Sequence, residues 1–184
     1  MENADLTVTS FPLKHRIPCT GFLFKEQPQE RHIIPQMIEK FQIPVEKIAA
    51  IKRGNDFVNG NDVAVANHEL TTPPYKSRSY AFCTDTRPLK SILPIIEGAE
   101  LLYHEATFGA TENPRAEITF HSTSHDAANI AKQAAVKELL IGHFSAKYKA
   151  LDFLEEEAQS IFPNTRLALE GCRFAVERQL APTV

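Results

Sequence analysis

Five residues of this 184-residue sequence combine the acid–base and ligand chemistry that hydrolytic sites require: His15, Asp85, Glu105, His121 and His143. His15, Asp85 and His143 supply two imidazoles and a carboxylate, donor types that hold zinc or a similar ion when rigid elements bring them together. Glu105 and His121 form a different kind of pair. A carboxylate near an imidazole holds it in one tautomer and favours its charged form, as general acid catalysis requires. Spacing alone equally allows His121 to do no more than lead into a helix beginning near Thr123. A lone histidine at a strand end is more often a hydrogen-bonded structural residue, so the weight rests on the combination.

Four of the five close short apolar runs. Leu6–Leu13 runs into Lys14-His15, Tyr80–Cys83 into Thr84-Asp85, Leu101–Tyr103 into His104-Glu105, and Leu139–Ile141 into Gly142-His143. These runs alternate with helix-like segments, the rhythm of an α/β layer architecture, in which chemistry gathers beyond the carboxyl ends of the strands. Thr123-Ser-His-Asp126 reads as a capped helix start, followed by Ala127, Ile130, Ala131 and Ala134 at helical spacing. A second amphipathic helix is expected over about residues 150–161, with Glu155, Glu156 and Glu157 as its solvated face. His32, His68 and His125 read as surface residues, and Cys83 as a small buried hydrophobe. There is no Gly-rich phosphate loop and no G-x-S-x-G elbow.

Between residues 25 and 79 the pattern weakens: Pro28, Pro35, Pro44, Pro73 and Pro74 interrupt polar sequence, the mark of an appendage. Within it, Asn59-Gly60 between short β-prone runs predicts a two-residue hairpin turn. With 43% hydrophobic and 23% charged residues the chain can bury an ordinary globular core, and a single domain is the default. The net charge of −3 argues against a generally basic nucleic-acid binder while leaving room for a local phosphate-binding patch. Three cysteines without C-x-x-C spacing fit a reducing compartment, hence the cytoplasm. No basic stretch with an apolar core opens the chain and no run of about 18 apolar residues occurs, so neither a signal peptide nor a membrane span is expected.

The motifs Cys83-Thr-Asp-Thr-Arg87, His104-Glu-Ala-Thr-Phe108, His121-Ser-Thr123 and Gly142-His-Phe-Ser-Ala-Lys-Tyr148 occur in the order found in RNase Z, preceded by Pro12-Leu-Lys-His-Arg-Ile-Pro18. Over about residues 5–170 the chain resembles the carboxy-terminal half of that family of dinuclear-zinc endoribonucleases, which remove 3′ trailers from tRNA precursors. The resemblance implies an α/β fold: the carboxy-terminal half of a metallo-β-lactamase αββα sandwich over residues 1–184, with an inserted tRNA-gripping arm over roughly 28–72. It implies that His15 binds the first zinc, Asp85 bridges both, and His143 binds the second. It also implies that Glu105 and His121 together protonate the leaving ribose oxygen. It further implies precursor tRNA as partner and a homodimer for the complete enzyme.

Two departures matter. The family's Gly-Pro element is not evident around Pro44-Val-Glu46, leaving Lys47, Lys52 and Arg53 as candidate phosphate contacts that read equally well as scattered surface charges. The H-x-H-x-D-H motif, which completes both zinc shells, is absent: no two histidines here stand two apart. Three ligands leave each zinc under-coordinated, so the chain by itself is expected to be inactive. The competing readings are a non-catalytic module that binds RNA or a partner, and a phosphodiesterase of the same fold with another substrate. Half of a sandwich should also expose sheet edges and an apolar face.

Overall fold

The computed structural model describes residues 5–60 and 62–182. In chain order, residues 5–27 form β1 (Leu6–Leu13) and β2 (Cys19–Glu26). Residues 28–77 form β3 (His32–Ile33), α1 (Pro35–Phe41), α2 (Val45–Lys52), β4 (Phe57–Val58), β5 (Ala64–Val65), α3 (Asn67–Leu70) and β6 (Thr71–Thr72). The remainder forms β7 (Ser79–Cys83), α4 (Leu93–Ile96), β8 (Leu101–Glu105), α5 (Asn113–Thr119), α6 (Ser124–Gln133), β9 (Glu138–Gly142), α7 (Asp152–Gln159) and β10 (Thr165–Leu167).

One six-stranded sheet, in the order β1-β2-β7-β8-β9-β10, organises the larger of two compact units, residues up to 27 and 78–176. β2 is antiparallel to both neighbours, while β7, β8, β9 and β10 run parallel. Two successive reversals across β2 return β1 to the direction of β7. The carboxyl ends of β1, β7, β8 and β9 therefore lie on one edge of the sheet, each carrying its polar residue there.

Period-two alternation gives this sheet two distinct faces. One is the core: Phe11, Ala81, Cys83, Leu102, Leu139 and Ile141 point toward α6 and α7. Ala127, Ala128 and Ala131, with almost no accessible surface, form the contact side of α6, and such small side chains allow a helix to lie close to a sheet. Thr123 caps α6 reciprocally with Asp126, hydroxyl to backbone N–H and carboxylate to backbone N–H, the capping box expected from the sequence. Burial pushes the Cys83 thiol up to about 12, so it serves as a packed apolar group.

α7 occupies Asp152–Gln159 inside the predicted span and buries Leu154 and Ala158. Glu157 departs from the expected solvated face. Its Oε2 accepts from the Ala110 backbone N–H at 2.9 Å and the Ser124 hydroxyl at 2.5 Å, tying α7 to the start of α6. A charge run on a helix sweeps 100° per residue, so three consecutive glutamates cannot all share one face.

The opposite sheet face carries Phe22, Phe24, Tyr80, Phe82 and Tyr103, an aromatic band across β2, β7 and β8. Adjacent rings lie 4.8 Å (Phe82–Tyr103) to 6.4 Å (Tyr80–Phe82) apart, and Phe22 remains 36% exposed.

The second compact unit comprises Pro28–Ser77 with the chain from Glu177. Its small core is Ile43, Ile51, Phe57, Val65 and Leu70. β4 and β5 pair as predicted for a hairpin, but the closing pair is Val58–Ala64, so the connection spans residues 59–63. The Asn59 backbone N–H donates to the Val63 carbonyl, and the Asn59 side-chain oxygen accepts from the Val63 N–H, each at 3.0 Å. Among the described residues of this connection, Asp62 takes the left-handed conformation, with φ of 58°, while Asn59 and Gly60 do not. His68 is exposed, whereas His32 is half-buried, its enclosed Nε2 without a partner among the described residues and its ring edge against Tyr75, contrary to a surface reading.

Candidate active site

The chain ends its strands abruptly at this edge. Asp85, two residues beyond β7, and His143, directly after β9, both hold left-handed backbone, φ 51° and 59°. Non-glycine residues occupy that region at a cost, and such strain concentrates at functional sites. Phe120, which ends α5 in the same conformation at φ 64°, turns its carbonyl toward His15 and delivers His121 next in sequence. The turns are clamped together. The Lys14 backbone N–H donates to the Thr86 hydroxyl at 3.1 Å, and the Ser122 hydroxyl donates to the Thr86 carbonyl at 2.7 Å.

Glu105 is fully buried, and its carboxylate accepts four hydrogen bonds. Oε1 takes the Thr86 backbone N–H at 2.6 Å and His121 Nδ1 at 2.8 Å. Oε2 takes the Thr107 hydroxyl at 2.6 Å and the Ser122 backbone N–H at 3.1 Å. Four acceptor positions are the capacity of a carboxylate, so none is left over.

Three imidazoles stand in a row. The His121 ring lies 5.0 Å from that of His15 and 5.3 Å from that of His143. His15 Nδ1 is 3.1 Å from the Phe120 carbonyl oxygen, which can only accept, so the ring donates through Nδ1 and keeps the Nε2 lone pair. His121 does the same toward Glu105. Asp85 lies between the outer two histidines: its Oδ1 is 3.4 Å from His143 Nε2, and it shares a candidate ion-binding group with His15.

Side-chain positions allow two groups of three to hold an ion, His15–Asp85–His121 and Glu105–His121–His143. The second is ruled out by the saturated Glu105 carboxylate, which has no lone pair left for a metal. What remains is His15, Asp85 and His121, with His143 Nε2 3.4 Å from Asp85. This donor set of two imidazoles and a carboxylate suits zinc, but three ligands fall short of the roughly four that even one structural zinc takes.

Around these residues, the sequence reading passed over several others that the structure brings in. His104 is completely buried, donates through Nδ1 to the Glu105 carbonyl at 2.8 Å, and leaves Nε2 without a partner among the described residues. Burial lowers its pKa and keeps the ring neutral. Gly142 faces Tyr103: a Cβ there would come within 2.4 Å of the phenol oxygen. Thr107, nearly buried, lies 2.9 Å from His143 Nδ1 as well as 2.6 Å from Glu105. Thr107 and His104 stand within the quoted His104-Glu-Ala-Thr motif, which was the available signal. His125 is half-buried in the first turn of α6.

Lys47, Lys52 and Arg53 lie in the second unit, on and after α2. Lys47 is exposed, beside a cleft lined by Lys40, Phe41, Phe57 and Asn59. Lys52 is engaged by Glu30 at 3.1 Å, and Arg53 closes the helix. Residues 28–77 contain six basic and six acidic side chains, so the unit carries no net basic field. Among the described residues no helix is long and apolar enough to cross a membrane.

No family model matches the chain. It is 51% identical over 176 residues to a curated protein of Parabacteroides distasonis named Ribonuclease Z, a match covering 96% of this chain and 58% of the relative. The corresponding protein of Bacteroides fragilis is 46% identical over 92% of the chain and 56% of its own length. The chain thus spans a little over half the length of these relatives. Among solved structures, the metallo-β-lactamase fold protein YhfI of Bacillus subtilis matches with a TM-score of 0.60 at 18% identity, over 94% of this chain and 50% of its own. The chain has the α/β architecture of about half a metallo-β-lactamase fold.

Proposed function

We propose that this chain is the carboxy-terminal portion of a ribonuclease Z, an endoribonuclease that removes 3′ trailers from tRNA precursors, and that by itself it is catalytically incomplete. One observation carries the reading: the saturated Glu105 carboxylate holds His121 by Nδ1 between the His15 and His143 rings, with Asp85 close to both outer histidines. The relatives' shared name supports the reaction class.

In this reading His15, Asp85 and His143 would hold zinc. Zinc, when bound, supplies Lewis acidity that neutralises charge building on the scissile phosphate. The chain's own part is proton delivery. Glu105 fixes the His121 ring and balances its charge when protonated. As the phosphorus–oxygen bond breaks, the leaving ribose oxygen takes the proton from His121 Nε2, and the ring returns to neutral imidazole. The missing zinc donors would come from the portion of a ribonuclease Z that this chain does not span.

Residues 28–72 would form the arm that grips tRNA. With no net basic charge there, gripping would depend on local contacts such as Lys47 and Arg53, with Lys52 available once released from Glu30. The aromatic sheet face would be covered by the other half of the sandwich, and the complete enzyme would be a cytoplasmic homodimer.

The deciding assay uses a tRNA precursor with a 3′ trailer, offered to this chain alone and to this chain mixed with the amino-terminal portion of the Parabacteroides distasonis relative. Trailer release only in the mixture, abolished by a chelator, is the expected result. Cleavage by the chain alone would overturn the incompleteness. Salt-dependent tRNA binding without cleavage in either sample would instead favour a non-catalytic RNA-binding module.

A further inference from the structure

We infer that Thr107 fixes the tautomer of His143, and so decides which nitrogen that ring offers to a metal ion. The inference rests on the proposed function only for its consequence in metal binding; the tautomer itself follows from hydrogen-bond accounting.

A threonine hydroxyl has one proton to give and two lone pairs with which to accept. Thr107 Oγ1 meets three partners within 3.0 Å: Glu105 Oε2 at 2.6 Å, His143 Nδ1 at 2.9 Å and the His143 carbonyl at 3.0 Å. Two oxygens 2.6 Å apart require a proton between them. An ionised carboxylate has no proton and only accepts, so the hydroxyl proton belongs to Oε2. The His143 carbonyl at 3.0 Å then receives no proton from the hydroxyl, and Oγ1 faces His143 Nδ1 only as an acceptor. The ring must carry its proton on Nδ1.

Nε2 is left with its lone pair, 3.4 Å from Asp85 Oδ1. That separation is long for a charge-assisted hydrogen bond, which is usually about 2.7–2.9 Å. Two lone pairs facing each other are a place for a cation. The arrangement is enforced: Thr107 is 7% exposed, and the Ser145 backbone N–H donates to the Thr107 carbonyl at 3.1 Å, holding the loop after β8 against the loop after β9. Thr107 is thus a positioning residue. It joins the Glu105–His121 pair to the His15–Asp85–His143 group through one hydroxyl and sets the direction of the hydrogen bonds in between.

The test is a two-bond proton–nitrogen correlation spectrum of the histidine rings in the ¹⁵N-labelled, metal-free chain at about pH 8, with His143 assigned by its loss in His143→Asn. The expected spectrum shows a protonated Nδ1 and a bare Nε2 for His143. Thr107→Ser should keep that pattern. Thr107→Val should release the ring toward the Nε2–H form that free histidine prefers, and should weaken zinc binding, measured by competition with a chromophoric chelator, by about 10- to 100-fold. An Nε2–H pattern in the unmodified chain overturns the inference. So does a Thr107→Val protein that keeps Nδ1–H. If Thr107→Val fails to fold, the spectra of the unmodified chain and of Thr107→Ser decide. The Nδ1–H form in a chain that never cleaves tRNA in any mixture would leave the inference standing and remove the proposed function.

Discussion

Glu105 and His121 meet through one hydrogen bond of 2.8 Å, Oε1 to Nδ1, while the other three acceptor positions of the carboxylate hold Thr86, Ser122 and Thr107. Glu105 is therefore an organiser of three turns as well as the partner of a proton donor. Glu105→Gln would aim an amide nitrogen at buried donors, costing about 1–3 kcal/mol of stability. In the reconstituted mixture, single-turnover trailer release should fall by roughly 10²- to 10⁴-fold in His121→Ala, the usual value of a general acid. Zinc content of His121→Ala should be unchanged. Lost zinc with lost activity would identify His121 as a ligand instead.

Gly142 has no room for a side chain, because its Cβ would sit 2.4 Å from the Tyr103 phenol oxygen and 2.7 Å from ring carbons. Gly142→Ala is expected to destabilise the chain by about 1–3 kcal/mol in urea unfolding, the usual cost of overpacking. Tyr103→Leu in the same chain should recover part of that loss. Additive losses would show that the two positions do not oppose one another.

His104 gives stability a pH dependence of defined sign. Burial depresses its folded pKa below the ordinary 6.5, so below that pH the unfolded chain takes up a proton that the folded chain refuses. This contribution is intact above about pH 6.5 and falls as the solution becomes more acidic, by up to about 1.4 kcal/mol per pH unit. Denaturant titrations at about pH 7.5 and 5.5 should show that loss, and His104→Leu should flatten it. An unchanged slope in the variant would assign the acid sensitivity elsewhere.

The aromatic band on the outer sheet face leaves apolar surface where a soluble monomer usually has little. Sedimentation velocity should show the isolated chain associating as its concentration rises, and Phe22→Ser, at the most open position of the band, should reduce that association. A compact monomer at every concentration would contradict this reading of the face.

Much of the site was legible as local pattern. β1 runs over the predicted Leu6–Leu13, the Thr123–Asp126 capping box forms, and His15, Asp85, Glu105 and His143 each close a strand or follow one within two residues. Apolar runs and the polar residues that stop them are properties of a few neighbours, so sequence alone determines them. The hairpin closure at residues 59–63, the inward Glu157 and the half-buried His32 were not legible, because each depends on a partner distant in the chain or on which way a turn opens.

What only the tertiary structure decided is that the strand ends coincide. β2 reverses the chain twice between β1 and β7, and that alone brings His15 from residue 15 to the edge that carries Asp85, Glu105 and His143. Spacing along the chain contains no strand order or direction. The role of Thr107 was equally hidden: a threonine in a motif is one hydroxyl, and where its single proton goes depends on two oxygens and a nitrogen that the folded sheet brings within 3.0 Å of it.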